Sequence, residues 1–83
     1  MSKIEKLIDR LLKLPKDFTY DELLKIMHYF EFYEDNQGKT SGSRIGFSNG
    51  KEFLKLHKPH PGKILKVYQL KQVIVFLKSG GYI

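Results

Sequence analysis

Apolar residues recur at helical spacing as far as Phe30, alternate between residues 31 and 57, and return to helical spacing after Pro61. This double change of period constrains the fold more than any single motif, because a helix-period segment cannot bury one face as a strand, nor the reverse. Ser2 and Glu5 have the spacing of a capping box, and Ile4, Leu7, Ile8, Leu11 and Leu12 follow one helical face. They predict a first helix from about Lys3 to Lys13, stopped at Leu14-Pro15 because the residue before proline disfavours the helical region. Thr19 and Glu22 repeat the capping spacing ahead of Leu23, Leu24, Met27 and Phe30, which predicts a second helix over Tyr20 to Tyr29. His28 lies beside that stripe, where a solvated or hydrogen-bonded histidine is expected.

Glu31 to Glu34 reads as a short strand, and the turn-forming residues 35–38 and 40–42 connect it to an alternating run from Ser43 to Phe47. Asn49-Gly50 is a hairpin signal, and Glu52 to His57 alternates again. Parity sends Ile45, Phe47, Leu54 and Leu56 to a core and leaves Arg44, Phe53, Lys55 and His57 on the other side. Pro59-His60-Pro61-Gly62 breaks regular structure before a third helix from about Leu65 to Lys78, with Gly80-Gly81 as its stop and Tyr68 at the core margin. The expected class is α+β in the order α-α-β-β-β-α: a three-stranded antiparallel sheet with helices on one face and the other face partly open. At 83 residues the chain is expected to form one domain, 1–83.

Charge is distributed unevenly. Residues 1–36 carry six Lys/Arg and eight Asp/Glu, whereas residues 37–83 carry nine Lys/Arg and one acid, Glu52. A polyanion is the natural partner of such a half, since phosphate contacts release counterions. No apolar run reaches the roughly 18 residues of a membrane span, and the first residues lack a secretory core, so a cytoplasmic location is expected. The absence of cysteine removes disulfides, thiolate metal sites and thiol redox chemistry.

The segment Lys39–Lys66 gathers seven cations, a Gly-Ser-Arg turn and two of the three histidines. One acid in the basic half argues against a two-metal nuclease, and His57 and His60 lack a third neighbouring zinc ligand; no metal or cofactor is expected. Metal-free RNA cleavage needs less, because the ribose 2′-hydroxyl is its own nucleophile. The protein supplies a base, an acid and cations for the charge that builds on phosphorus. His57 or His60 suits the proton transfer, with Arg44, Lys55, Lys58 and Lys63 as cations. The plainer alternatives are a surface strand residue for His57 and a brace at the start of the third helix for His60. Lys39 and Ser43 belong to the same RNA-binding set. Phe53, and with it Tyr33, can stack on unpaired bases, although an exposed Phe53 also suits a protein partner.

The turn Ser41-Gly42-Ser43-Arg44, the apolar strand after it, the strand end Leu56-His57-Lys58-Pro59-His60 and the final helix containing Leu70-Lys71-Gln72-Val73-Ile74 resemble the HicA toxins of toxin–antitoxin pairs. The resemblance covers about Leu23 to Ile83, with residues 1–22 a helical extension. It implies a fold similar to double-stranded-RNA-binding domains, cleavage of messenger RNA without a metal, and a HicB-type antitoxin over the active face. Family members usually have a histidine, taken as catalytic, where this chain has Arg44; His60 matches a second Pro-and-His feature of the family. Arginine binds phosphate but is a poor general base. Either His57 or His60 carries the proton, or the chain binds RNA or a partner without cleaving.

Overall fold

The computed structural model describes residues 2–34, 44–57 and 63–83, with positions 44 and 57 described through their backbone. The elements are α1 (Lys3–Leu12), α2 (Tyr20–Tyr29), β1 (Tyr33–Glu34), β2 (Arg44–Ser48), β3 (Phe53–His57) and α3 (Val67–Ser79). Their order is the expected α-α-β-β-β-α, and the strands form one antiparallel sheet, β1-β2-β3.

Both predicted capping boxes form. Ser2 Oγ accepts from the Glu5 N–H at 3.2 Å, and Thr19 Oγ1 accepts from the Glu22 N–H at 3.1 Å. In return, Glu5 and Glu22 accept from the N–H groups of Ser2 and Thr19. Each box satisfies amide donors that a helix start leaves unpaired.

The core lies between the helices and one face of the sheet. Ile45, Phe47, Leu54 and Leu56 pack there with Leu23, Ile26 and Met27 of α2 and Leu70, Val73 and Leu77 of α3. Leu11 of α1 and Phe18 are fully buried in the same cluster.

Three local expectations shift. The first strand shortens to Tyr33–Glu34 because residues 31 and 32 close α2. Glu31 takes a left-handed φ of 65°, its N–H donates to the His28 carbonyl, and the Phe32 N–H donates to the Met27 carbonyl at 2.8 Å. This is a Schellman ending built without glycine. Helix α3 starts at Val67, two residues late, because Ile64 bridges to Thr19 and the Leu65 N–H donates to the Phe18 carbonyl at 2.8 Å. Tyr68 is 54 % exposed, which moves it from the core margin to the surface.

The Asn-Gly pair sits inside a longer connection, since Ser48 pairs with Phe53 and residues 49–52 form the loop. Asn49 Oδ1 accepts from the N–H groups of Lys51 and Glu52, and Gly50 adopts a φ of 91°. The α3 end repeats the Schellman pattern with Gly81 at φ 78° and the Tyr82 N–H on the Leu77 carbonyl. Tyr82 then packs on Phe30 and Phe32, at ring-centroid distances of 5.5 and 5.2 Å.

Candidate nucleic-acid interface

Strand register decides which residues share the open face. Ile45↔Leu56 and Phe47↔Leu54 pair towards the helices, so the alternate pairs Arg44↔His57, Gly46↔Lys55 and Ser48↔Phe53 belong to the opposite parity. Tyr33 pairs with Ser48 from the other side and completes a row across all three strands, Tyr33–Ser48–Phe53. Tyr33 is 56 % exposed and Phe53 39 %, and Lys55 is exposed between the aromatic row and the Arg44–His57 position. Positions 53 and 57 stand about 14 Å apart, four residues at about 3.4 Å each.

The sequence-derived residues separate into four groups. Lys55 and Phe53 occupy the open side. Arg44 and His57 share the parity expected of them, and the register makes them direct cross-strand partners. Lys39, Ser43, Lys58 and His60 lie outside the described residues. Lys63 is exposed beside the start of α2, where its carbonyl accepts from the Tyr20 N–H at 2.7 Å.

Positive charge is not confined to the open side, since Lys71 and Lys78 are exposed on α3, which covers the other face of the sheet. Gln72 of that helix donates from Nε2 to the Lys55 carbonyl at 3.1 Å and ties the edge strand β3 to α3.

Two features around the sheet escaped the sequence reading. His28 is exposed and stacks on Tyr33, with centroids 5.1 Å apart and planes 29° from parallel. Towards the helices, Glu34, the register partner of Phe47, and Glu52 are each held by a tyrosine. The Tyr20 hydroxyl donates to Glu34 Oε2 at 2.6 Å, and burial together with that bond pushes the phenol well above the ordinary tyrosine value. The Tyr82 hydroxyl donates to Glu52 Oε1 at 2.8 Å, which raises its pKa in the same way, and accepts from Asn49 Nδ2 at 2.9 Å. Neither contact has a signature in local sequence; Tyr82 and Glu52 are thirty residues apart.

Among the described residues no group of three or more histidines and carboxylates is arranged to hold a metal ion. None of the described helices is long and apolar enough to cross a membrane.

A family model described as the HicA toxin of bacterial toxin–antitoxin matches residues 20–81, three-quarters of the chain and every strand of the sheet. The chain belongs to the HicA toxin family. The match starts at Tyr20, immediately after the Thr19 cap of α2, and therefore leaves α1 outside it. No curated protein and no solved structure matches the chain. Membership in the HicA family thus rests on the segment that builds the open sheet.

Proposed function

We propose that this HicA-family chain is a ribonuclease toxin that engages messenger RNA on the open sheet face, in a cell that supplies a HicB-type antitoxin. The supporting observation is that the family match spans a sheet whose side opposite the described helices carries exposed Tyr33, Phe53 and Lys55. Rings and cations on one surface suit unpaired RNA, because bases stack on the rings while phosphates follow the charge. A cytoplasmic location and a fold akin to double-stranded-RNA-binding domains belong to the same proposal.

In the proposed mechanism the 2′-hydroxyl attacks phosphorus and its proton passes to one imidazole. The 5′-oxygen leaves with a proton from an acid. Arg44 and Lys55 hold the phosphate and offset its growing charge, with Lys39, Ser43, Lys58 and Lys63 tracking the backbone. His57, the register partner of Arg44, and His60 are the candidates for proton transfer. A metal is not required, since the nucleophile belongs to the substrate.

Arginine at position 44, in place of the usual histidine, favours one second reading: an RNA-binding relative that no longer cleaves. Labelled RNA incubated with the purified chain in excess chelator separates the two. Products ending in 2′,3′-cyclic phosphate that vanish on replacing His57 and His60 by alanine support the toxin mechanism. Salt-sensitive binding without cleavage supports the second reading. Full activity in the double variant would remove histidine from the mechanism.

A further inference from the structure

We infer that the outer edge of β3, with the exposed flank of α3 beside it, takes an acidic β-strand of a protein partner as a fourth strand of the sheet. The inference deepens the proposed pairing with an antitoxin, because it assigns the edge that such a partner grips and the chemistry of the gripping segment.

The register leaves this edge open. β3 is last in the order β1-β2-β3, and Gln72 Nε2 donates to the Lys55 carbonyl from outside the sheet. The N–H and C=O of one strand residue point to the same side, and the side alternates along the chain. Phe53 and Lys55 therefore turn their backbone groups outwards, while Leu54 and Leu56 bond to β2. The Asn49 N–H on the Glu52 carbonyl, which closes the hairpin, agrees with that phase. No described residue outside the sheet accepts from the N–H of Phe53 or Lys55. Outward donors at two-residue spacing are a template for another peptide chain.

Helix α3 supplies a second wall. Because Gln72 reaches the Lys55 carbonyl, the helix runs beside the edge, and Tyr68 and Val75, one turn before and one turn after Gln72, line the same flank. Tyr68 is 54 % exposed and Val75 64 %. A strand laid along the edge covers both.

The charge around this edge decides which strand fits. Lys55 stands at its centre on the open side and Lys71 is exposed on α3, whereas Glu52, the one acid after residue 36, is engaged by the Tyr82 hydroxyl. A second copy of this chain, paired two-fold about the middle of β3, would set Lys55 opposite Lys55, and like charges directly opposite are unfavourable. An antiparallel strand with a carboxylate opposite Lys55 reverses the sign. Its neighbouring residues then face the helix side, where apolar side chains meet Tyr68 and Val75. The segment thus alternates acidic and apolar residues along the five residues of β3. RNA has no alternating backbone donors and acceptors to pair with this edge.

The test uses the full chain and a blocked heptapeptide of alternating glutamate and valine, titrated at pH 7 and read by amide chemical shifts. The Phe53 and Lys55 amides should shift and become protected from exchange, with Tyr68 and Val75 shifting beside them and half-saturation below about 1 mM. N-methylating the glutamate amides removes the ladder donors but keeps the charge, and should weaken binding at least about fivefold. A peptide with lysine for glutamate should bind at least about tenfold more weakly, and Lys55→Glu should reverse that order. Tyr68→Ala should weaken binding about threefold; the ring is on the surface, so its thermal melt should match the parent. No shift at Phe53 and Lys55, or equal binding of the N-methylated peptide, overturns the inference. So does a dimer of the free chain with those amides already protected, which gives the edge to a second copy, and so do edge shifts produced by RNA and not by the peptide. Peptide failure with salt-sensitive RNA binding retained leaves the toxin reading standing, and loss of both overturns both.

Discussion

Arg10 Nε donates to Glu22 Oε2 at 2.9 Å, and through this pair α1, which lies outside the family match, is fastened to the cap of α2, which lies inside it. The same guanidinium donates from Nη2 to Asp17 Oδ1 at 2.9 Å and stands 5.7 Å from the centre of the Phe18 ring. Glu22 is thus shared between its own capping box and the neighbouring helix.

Acid should loosen that junction. The Arg10 hydrogen bond, helped by the donors of Thr19, holds the Glu22 carboxyl below the ordinary glutamate value. A depressed folded-state pKa stabilises the fold above the unfolded value of about 4.3, and the contribution is lost as pH falls through the folded value. Melting temperature should therefore drop between about pH 4 and pH 2. Glu22→Gln and Arg10→Ala should both flatten that dependence. An unchanged acid limb in both variants would assign the acid sensitivity to other carboxylates.

Leu11→Ala tests whether α1 is part of the fold or an appendage. Leu11 is fully buried in the common core, so truncation should cost about 2–5 kcal/mol in urea unfolding. A loss below about 0.5 kcal/mol would show that residues 20–81 stand without the helix.

Glu31→Gly should make the protein more stable. Glu31 is exposed and holds a left-handed φ of 65°, a conformation that strains any residue with a Cβ. Relief of that strain, less the added freedom of glycine in the unfolded chain, predicts a gain of about 0.5–1 kcal/mol with an unchanged urea m-value. A lower unfolding midpoint would contradict it.

Gly80→Ala should act in the opposite direction. A Cβ there would overlap the Tyr82 ring, whose hydroxyl links Glu52 and Asn49 of the β2–β3 loop to the C-terminal end. Overpacking of this kind costs about 1–3 kcal/mol. Amide exchange should also rise at Lys51 and Glu52, and protection equal to that of the parent would show that the loop holds without the tyrosine.

Arg44→His restores the residue that the resemblance expects after the glycine-rich turn. If position 44 limits proton transfer, cleavage of labelled RNA in chelator should rise by about 10²-fold or more, the usual worth of a general base. A variant with lower activity than the parent would assign Arg44 an essential phosphate contact and leave the proton to His57 or His60.

The one-dimensional pattern was enough for the order of elements, both capping boxes, the core parity of Ile45, Phe47, Leu54 and Leu56, and the shared opposite parity of Arg44 and His57. Each depends on spacing within a few residues or on the period of a strand, so local chemistry suffices. Tertiary packing decided the rest. Residues 31 and 32 left the first strand to close α2, Ile64 and Leu65 left the third helix to meet Thr19 and Phe18, and Leu11, outside the family match, joined a core built mostly of residues inside it. The row Tyr33–Ser48–Phe53 arose in the same way. Its end members are twenty residues apart, and Ser48 sets their distance only once both neighbouring strands pair with it. Spacing along a chain fixes which face a residue takes, whereas the neighbour it meets there is chosen by contacts whose loop-closure cost is met only when the whole core forms.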